Sequence, residues 1–134
     1  LGDADEVNTN TEDYIAYLFA EKQGFSKFGT YEGSADADGP FVYTGFKPAF
    51  VICKADELSD WEMFDNKRLG YNVDNNRLAV NDKIVESTTD RIDLLSNGFK
   101  FRITTDPNAA KTWLYMAFAE APLVNSNGVP GTAR

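Results

Sequence analysis

Short apolar and aromatic runs, separated by turn-forming residues, constrain the fold of this chain most. The clearest run is residues 99–104, in which Phe99, Phe101 and Ile103 alternate with more polar residues, a pattern that predicts a half-buried strand. It follows Asn97-Gly98, a dipeptide typical of tight β-hairpins. Roughly eight or nine such runs, spaced about ten residues apart, predict an all-β fold.

We expect an antiparallel β-sandwich of the jelly-roll or concanavalin-like type, with a β-barrel as the alternative. The most apolar run, residues 49–54, is predicted to be central in its sheet. The other predicted strands are residues 25–31, 41–44, 61–65, 77–81, 83–86 and 91–95. The predicted core residues are Phe50, Ile52, Leu94, Phe99 and Phe101.

The chain contains one internal repeat, because residues 113–120 (WLYMAFAE) match residues 14–21 (YIAYLFAE) in character. We expect both copies to be strands, although the composition of the first copy would also suit a helix. Residues 1–21 are interpreted as the closing strand of a preceding repeat unit with the loop that leads into it. Residues 22–134 are interpreted as a complete sandwich unit with a C-terminal tail. Because the sequence has no initial Met, we expect it to be part of a longer, modular protein.

The second copy is apolar on both of its faces. One face carries Trp113, Tyr115, Ala117 and Ala119, and the other carries Leu114, Met116 and Phe118. A strand of this kind is expected to be covered on both sides or to lie at a contact between subunits. The pattern therefore favours a homo-oligomer.

Composition excludes several classes of function. The chain has 13 Lys and Arg against 21 Asp and Glu, a net charge of −8, so nucleic-acid binding is not expected. No apolar run reaches the length of a membrane span, so membrane insertion is not expected either. The chain has no histidine and one cysteine, so we expect neither a histidine-dependent catalytic triad nor a zinc site. We interpret Cys53 as a small buried hydrophobe.

Acidic residues offer two further candidates for chemistry. Asp36 and Asp38, just before a glycine, are spaced like the first ligands of a calcium loop, but the later ligands of such a loop are missing. They are the candidate metal ligands, with solvated surface as the alternative, and no other cofactor is expected. Glu62, Asp65 and Asp93 are candidates for the carboxylate pair of a glycosidase. We interpret them instead as outward-facing strand residues, and predict a protein that is not an enzyme.

The long polar loop at residues 66–76 is the predicted binding site. Tyr71 would supply a broad contact surface, and Lys67, Arg68, Asn72 and Asn75 would supply charges and hydrogen bonds. The alternative is that the two basic side chains only pair with Asp65 and Asp74 across the loop.

Long stretches of the sequence resemble a domain of marine bacteriophages. They are residues 14–33, 38–48, 93–100 and 115–122, together with Trp61 and residues 65–68. The domain is similar to the C-terminal domains of tail-fibre-like and other virion structural proteins. The resemblance implies a virion component that folds in the host cytoplasm and acts at the distal end of a tail fibre, in host attachment or fibre assembly. It carries over no catalytic residues.

The same resemblance implies the partners. They are other virion subunits, further copies of the chain in a homotrimer, and a glycan or protein of the host cell surface. Two alternatives remain open, a capsid decoration or architectural protein and a glycan-degrading enzyme of the virion. An enzyme should place two carboxylates in a cleft, whereas a decoration protein should have an extensive apolar outer face.

Overall fold

The computed structural model describes residues 9–68, 72 and 75–121, which form eight strands and no helix. The strands are β1 (Ser26–Glu32), β2 (Phe41–Tyr43), β3 (Phe50–Ala55), β4 (Trp61–Asp65), β5 (Leu78–Ala79), β6 (Ile92–Leu95), β7 (Gly98–Phe101) and β8 (Thr112–Phe118). No helix that could cross a membrane is present in this part of the chain.

The strands form two antiparallel sheets. The larger sheet has the order β1-β8-β3-β4-β5, and the smaller has the order β2-β7-β6. The predicted all-β sandwich is confirmed, and the alternative of a barrel is wrong, because the sheets do not close on each other. The prediction that the most apolar run would be central is also confirmed, since β3 is the middle strand of the larger sheet.

The core lies between the two sheets and is rich in aromatic rings. Its members are Tyr31, Val42, Phe46, Val51, Cys53, Ala55, Phe64, Ile92, Leu94, Phe99, Phe101, Trp113, Tyr115 and Ala117. Leu94, Phe99 and Phe101 are therefore confirmed as core residues. Ile52 is buried, as predicted, although its side chain lies on the outer side of the larger sheet and not in the cluster between the sheets. The prediction for Phe50 is wrong, because strand alternation places it, only half-buried, on the same outer side while Val51 and Cys53 point inward.

The predicted hairpin between β6 and β7 is confirmed, but its turn is Ser96 and Asn97, one residue earlier than the predicted Asn97-Gly98. Gly98 is the first residue of β7 and pairs with Tyr43 of β2. A Cβ atom at Gly98 would lie 2.2 Å from the carbonyl oxygen of Val42. Only glycine therefore allows β2 to approach β7 this closely.

The two copies of the repeat differ in conformation. Residues 113–118 lie within β8, between β1 and β3, as predicted. Residues 14–21 are not a strand, so that prediction is wrong, and they make no ladder pairing with the described strands. Residues 83–86 were also predicted as a strand and are not one. The chain near them makes a single bridge instead, between Arg77 and Ser87.

Candidate functional site

The loop after β4 is organised by the carboxylate of Asp65. One oxygen of that carboxylate accepts hydrogen bonds from the backbone amides of Lys67, at 2.8 Å, and Arg68, at 3.0 Å. The other accepts from Arg68 Nε at 2.6 Å, and Arg68 Nη1 donates to Glu86 at 2.9 Å. Although burial acts to raise it, these hydrogen bonds lower the pKa of Asp65. The guanidinium of Arg68 is therefore held by two carboxylates of its own chain.

Lys67 lies at the surface and pairs with Glu120, which follows β8. The hydrogen bond from Lys67 lowers the pKa of the Glu120 carboxyl. The alternative interpretation of the loop, in which its basic side chains pair with nearby acidic residues, therefore holds for Arg68 and Asp65. The partner of Lys67, by contrast, comes from a distant part of the chain. Tyr71 and Asp74 lie outside the described residues.

Asn72 and Asn75 bind the backbone of β6 rather than solvent. Asn72 accepts a hydrogen bond from Leu94 N at 2.7 Å and donates one to Leu94 O at 2.9 Å, with its own backbone at a φ of 54°. Asn75 is buried, donates to Ile92 O, and accepts from Asn72 N at 2.9 Å. The two amides therefore attach this loop to the edge of the smaller sheet.

We expect Asn75→Ala to lower the free energy of unfolding by about 1–3 kcal/mol, because it leaves buried backbone groups without partners. Lys67→Ala removes an exposed ion pair from the same loop and should cost less than about 1 kcal/mol. Urea denaturation followed by circular dichroism measures both. Equal effects of the two substitutions would contradict the structural role of Asn75.

The candidate metal ligands Asp36 and Asp38 share one turn, in which Asp36 Oδ1 accepts a hydrogen bond from Asp38 N at 2.8 Å. The carboxylate of Asp38 pairs with the ammonium of Lys100 at 2.6 Å, and this contact lowers the pKa of Asp38. A cation at this turn would have to compete with that ammonium. The described residues contain no group of three or more His, Cys, Asp or Glu side chains that could hold a metal ion.

Each carboxylate considered for glycoside hydrolysis pairs with an arginine. Glu62 is buried and accepts from Arg77 Nη2 at 2.6 Å. Asp65 pairs with Arg68, as described above, and Asp93 accepts from Arg102 Nε at 2.6 Å. Because these oxygens are engaged by fixed cations within the fold, the arrangement favours a structural role for all three.

Cys53 is buried in the core, as predicted, and Tyr31 belongs to the same core cluster. Burial raises the pKa of the Cys53 thiol to about 12, so the thiol is protonated at neutral pH. A protonated, buried thiol is a poor nucleophile.

The outer face of the five-stranded sheet carries an apolar surface. Strand alternation places there the side chains that do not enter the core, and the strand register brings them side by side. They form a groove of about 350 Å³, which we call the outer groove. Its side chains are Phe28, Thr30, Ile52, Lys54, Trp61, Leu114 and Met116.

The outer groove is apolar along its length. Trp61 and Leu114 are 40% and 49% exposed, although both are large hydrophobic residues. The one charged lining residue, Lys54, donates its ammonium hydrogens to the carbonyl oxygens of Ala55 at 2.8 Å and Glu57 at 2.7 Å. The ammonium group of Lys54 is therefore held by backbone carbonyls. The rest of the lining provides few hydrogen-bonding groups for a polar ligand.

An aromatic cluster continues the same face toward the other end of β8. The ring of Phe118 lies 5.7 Å from Phe28, 6.2 Å from Phe25 and 6.1 Å from Phe50, between ring centroids. Phe19 joins the cluster at 5.7 Å from Phe118. Residues 14–21 thus contact the aromatic cluster of the outer face through Phe19. The sequence indicated this surface only through the two apolar faces of β8, and the contributions of β1, β3 and β4 depend on their register.

Comparison with known proteins gives one match. The profile of a family described as a domain of unknown function (DUF7483) matches residues 1–122. No curated protein and no solved structure matches the chain.

Proposed function

This chain belongs to the family of domains of unknown function DUF7483, and we propose that it is a non-enzymatic structural module of a phage virion. In this proposal it folds in the host cytoplasm and joins other subunits through the outer face of its larger sheet, as a homotrimer. The placement in a virion, in a tail fibre or a capsid decoration, rests on the resemblance of the sequence. The role in assembly rests on the outer groove.

The single observation that carries the proposal is the apolar character of a face that ought to be polar. A sheet with one face in the core usually presents a polar face to water. Here, by contrast, Ile52, Trp61, Leu114 and Met116 line the outer groove. Contiguous exposed apolar surface of this kind marks a site of protein–protein contact. The arginine-bound carboxylates described above support a non-enzymatic role.

Leu114→Asp tests the proposal by placing a charge in the outer groove. We expect the wild-type chain to form an oligomer in sedimentation velocity at high micromolar concentration, and the variant to sediment as a monomer with an unchanged melting transition. Val85→Asp is the control, because Val85 is also exposed but lies outside the groove. Trp61→Ser provides a second, uncharged change in the groove. A wild-type chain that remains monomeric, or a Leu114→Asp chain that still assembles, would contradict the proposal.

Host attachment through the loop at residues 66–76 is a second proposed role. The observation that favours it is that Lys67, four positions before Tyr71 in the sequence, has an exposed side chain. In this role the loop would contact a glycan or protein of the host surface. Tyr71→Ala is expected to reduce adsorption of the particle to host cells without changing the fold. Unchanged adsorption would exclude this loop as the contact.

A further inference from the structure

We propose that the outer groove of one chain receives residues 14–21 of a second copy. These residues are called the arm below. The inference rests on the proposed function, since it takes assembly through the outer face as given and identifies what occupies the groove. Three observations carry it, namely the exposure of the arm, the chemistry of the groove and the way the base of the arm is held.

The arm exposes several large apolar side chains. Ile15, Tyr17 and Leu18 are 83%, 79% and 92% exposed. The described strands form no ladder with it, and these three side chains are not covered by the sheet of its own chain. Such a segment is unfavourable in water and is stabilised by an apolar partner surface.

The outer groove is such a surface, and it is uncovered in the single chain. Its lining is apolar, and its volume of about 350 Å³ suits a few aliphatic or aromatic side chains. The arm of the same chain leaves it open. Leu18 is almost fully exposed, although Phe19, the next residue, already packs on Phe118 of the same face.

The base of the arm is fixed against β1, at the edge of the larger sheet. Ser26 Oγ donates to Ala20 O at 3.0 Å, and Phe28 N donates to Glu21 Oε1 at 3.0 Å. Because β1 is an edge strand, these contacts present the arm at the margin of the sheet, where a neighbouring copy can approach.

The arm has enough apolar area for a small contact. Burial of Tyr14, Ile15, Tyr17 and Leu18, at roughly 100 Å² for each side chain, removes about 400 Å² of the arm from water. This is about half the area that each partner buries in a standard stable interface, about 800 Å². In a closed homotrimer each chain gives its arm to one neighbour and receives the arm of the other, so every chain takes part in two such contacts.

Disulfide trapping tests the inference. The only native cysteine, Cys53, is buried, so it should not form disulfides that compete with the introduced thiols. Full-length chains that carry Leu18→Cys are mixed with chains that carry Leu114→Cys under mild oxidation. We expect the mixed disulfide to form at least about tenfold faster than in a mixture of Leu18→Cys with Val85→Cys, because docking raises the effective concentration of the two thiols. Ile15→Cys with Leu114→Cys repeats the test at a second arm position, so that one misaligned thiol does not decide the result.

The doubly substituted chain, Leu18→Cys with Leu114→Cys, separates exchange from self-docking. A disulfide within one chain at high dilution would show that the arm occupies its own groove and would overturn the inference. Mixed disulfides no faster than the Val85→Cys control would also overturn it. If Leu114→Asp still abolishes assembly in that case, the proposed function stands with another partner in the groove. If the wild-type chain does not assemble at all, both fail.

Discussion

Arg77→Met is expected to lower the free energy of unfolding by about 3–5 kcal/mol, because it leaves a buried carboxylate without its cation. The side chains of Arg77 and Glu62 are 9% and 2% exposed. Arg77 Nη2 donates to Glu62 Oε1 at 2.6 Å and to Asp60 Oδ2 at 3.0 Å. Methionine fills a similar volume, so the loss comes mainly from the unpaired charge. Urea denaturation followed by circular dichroism measures it.

Arg102→Met is the matched control, since the same substitution there breaks the more exposed pair with Asp93. It should cost less than about 1 kcal/mol. The double variant Glu62→Leu with Arg77→Met removes both charges and is expected to recover most of the lost stability. The explanation fails if Arg77→Met costs no more than Arg102→Met.

The deficit of Arg77→Met is also expected to depend on pH. Burial raises the pKa of Glu62 above the ordinary value for glutamate, and Arg77 opposes that rise, so removal of Arg77 raises this pKa further. A carboxyl whose pKa is higher in the folded chain binds a proton on folding, and its contribution to stability falls as the pH rises through the raised pKa. The deficit relative to wild type should therefore be complete near pH 7 and shrink toward about pH 4.3, the ordinary pKa of glutamate. A deficit that grows on acidification would argue against this account.

Trp113→Ala is expected to destabilise the chain by about 3–5 kcal/mol, because it opens a large cavity in the core. The side chain of Trp113 is 0% exposed. Its ring lies parallel to Tyr31 at 6.4 Å between centroids, and its Nε1 donates to Ala109 O at 3.0 Å. The surrounding strands are held in register on both sides and cannot collapse far into the space. Thermal and urea unfolding by circular dichroism provide the measurement.

Trp61→Ala is the corresponding control, because Trp61 is 40% exposed on the outer face. At concentrations where the chain is monomeric it should cost about 1 kcal/mol or less, since surface substitutions have small effects. Trp113→Phe keeps most of the apolar contact and is expected to lose about half as much as Trp113→Ala. Similar losses at the two tryptophans would contradict the assignment of the core.

Sequence patterns predicted the strands better than the faces on which their residues lie. Apolar residues at every position of Phe50 to Cys53 identified β3 and its central position, but a run without alternation does not indicate which residues face the core. Val51 and Cys53 face the core. The run shows no alternation because the outer face of this sheet is apolar as well. The prediction that both copies of the repeat are strands failed for the first copy, because strand formation depends on neighbouring strands. Residues 113–118 are a strand because β1 and β3 pair with them, and residues 14–21 have no such neighbours.

The candidate sites were harder to predict than the fold. An asparagine in a loop serves equally well for recognition or for binding nearby backbone, and Asn75 does the latter. The sequence does not distinguish the two, because the partner, Ile92 O, is on another strand. The outer groove combines side chains of four strands, so it depends on the register between them. Only the alternation within β8 indicated it in advance.

The central place of β8 sets the order in which the larger sheet can form. Hairpins β3–β4 and β6–β7 join neighbours in sequence and can form while the chain is still leaving the ribosome. β1, however, has no strand partner until β8, the last described strand, has been synthesised. Pairing between such distant segments is slow, and unpaired apolar strands promote aggregation in the meantime. The nascent chain is therefore most prone to aggregate just before β8 emerges.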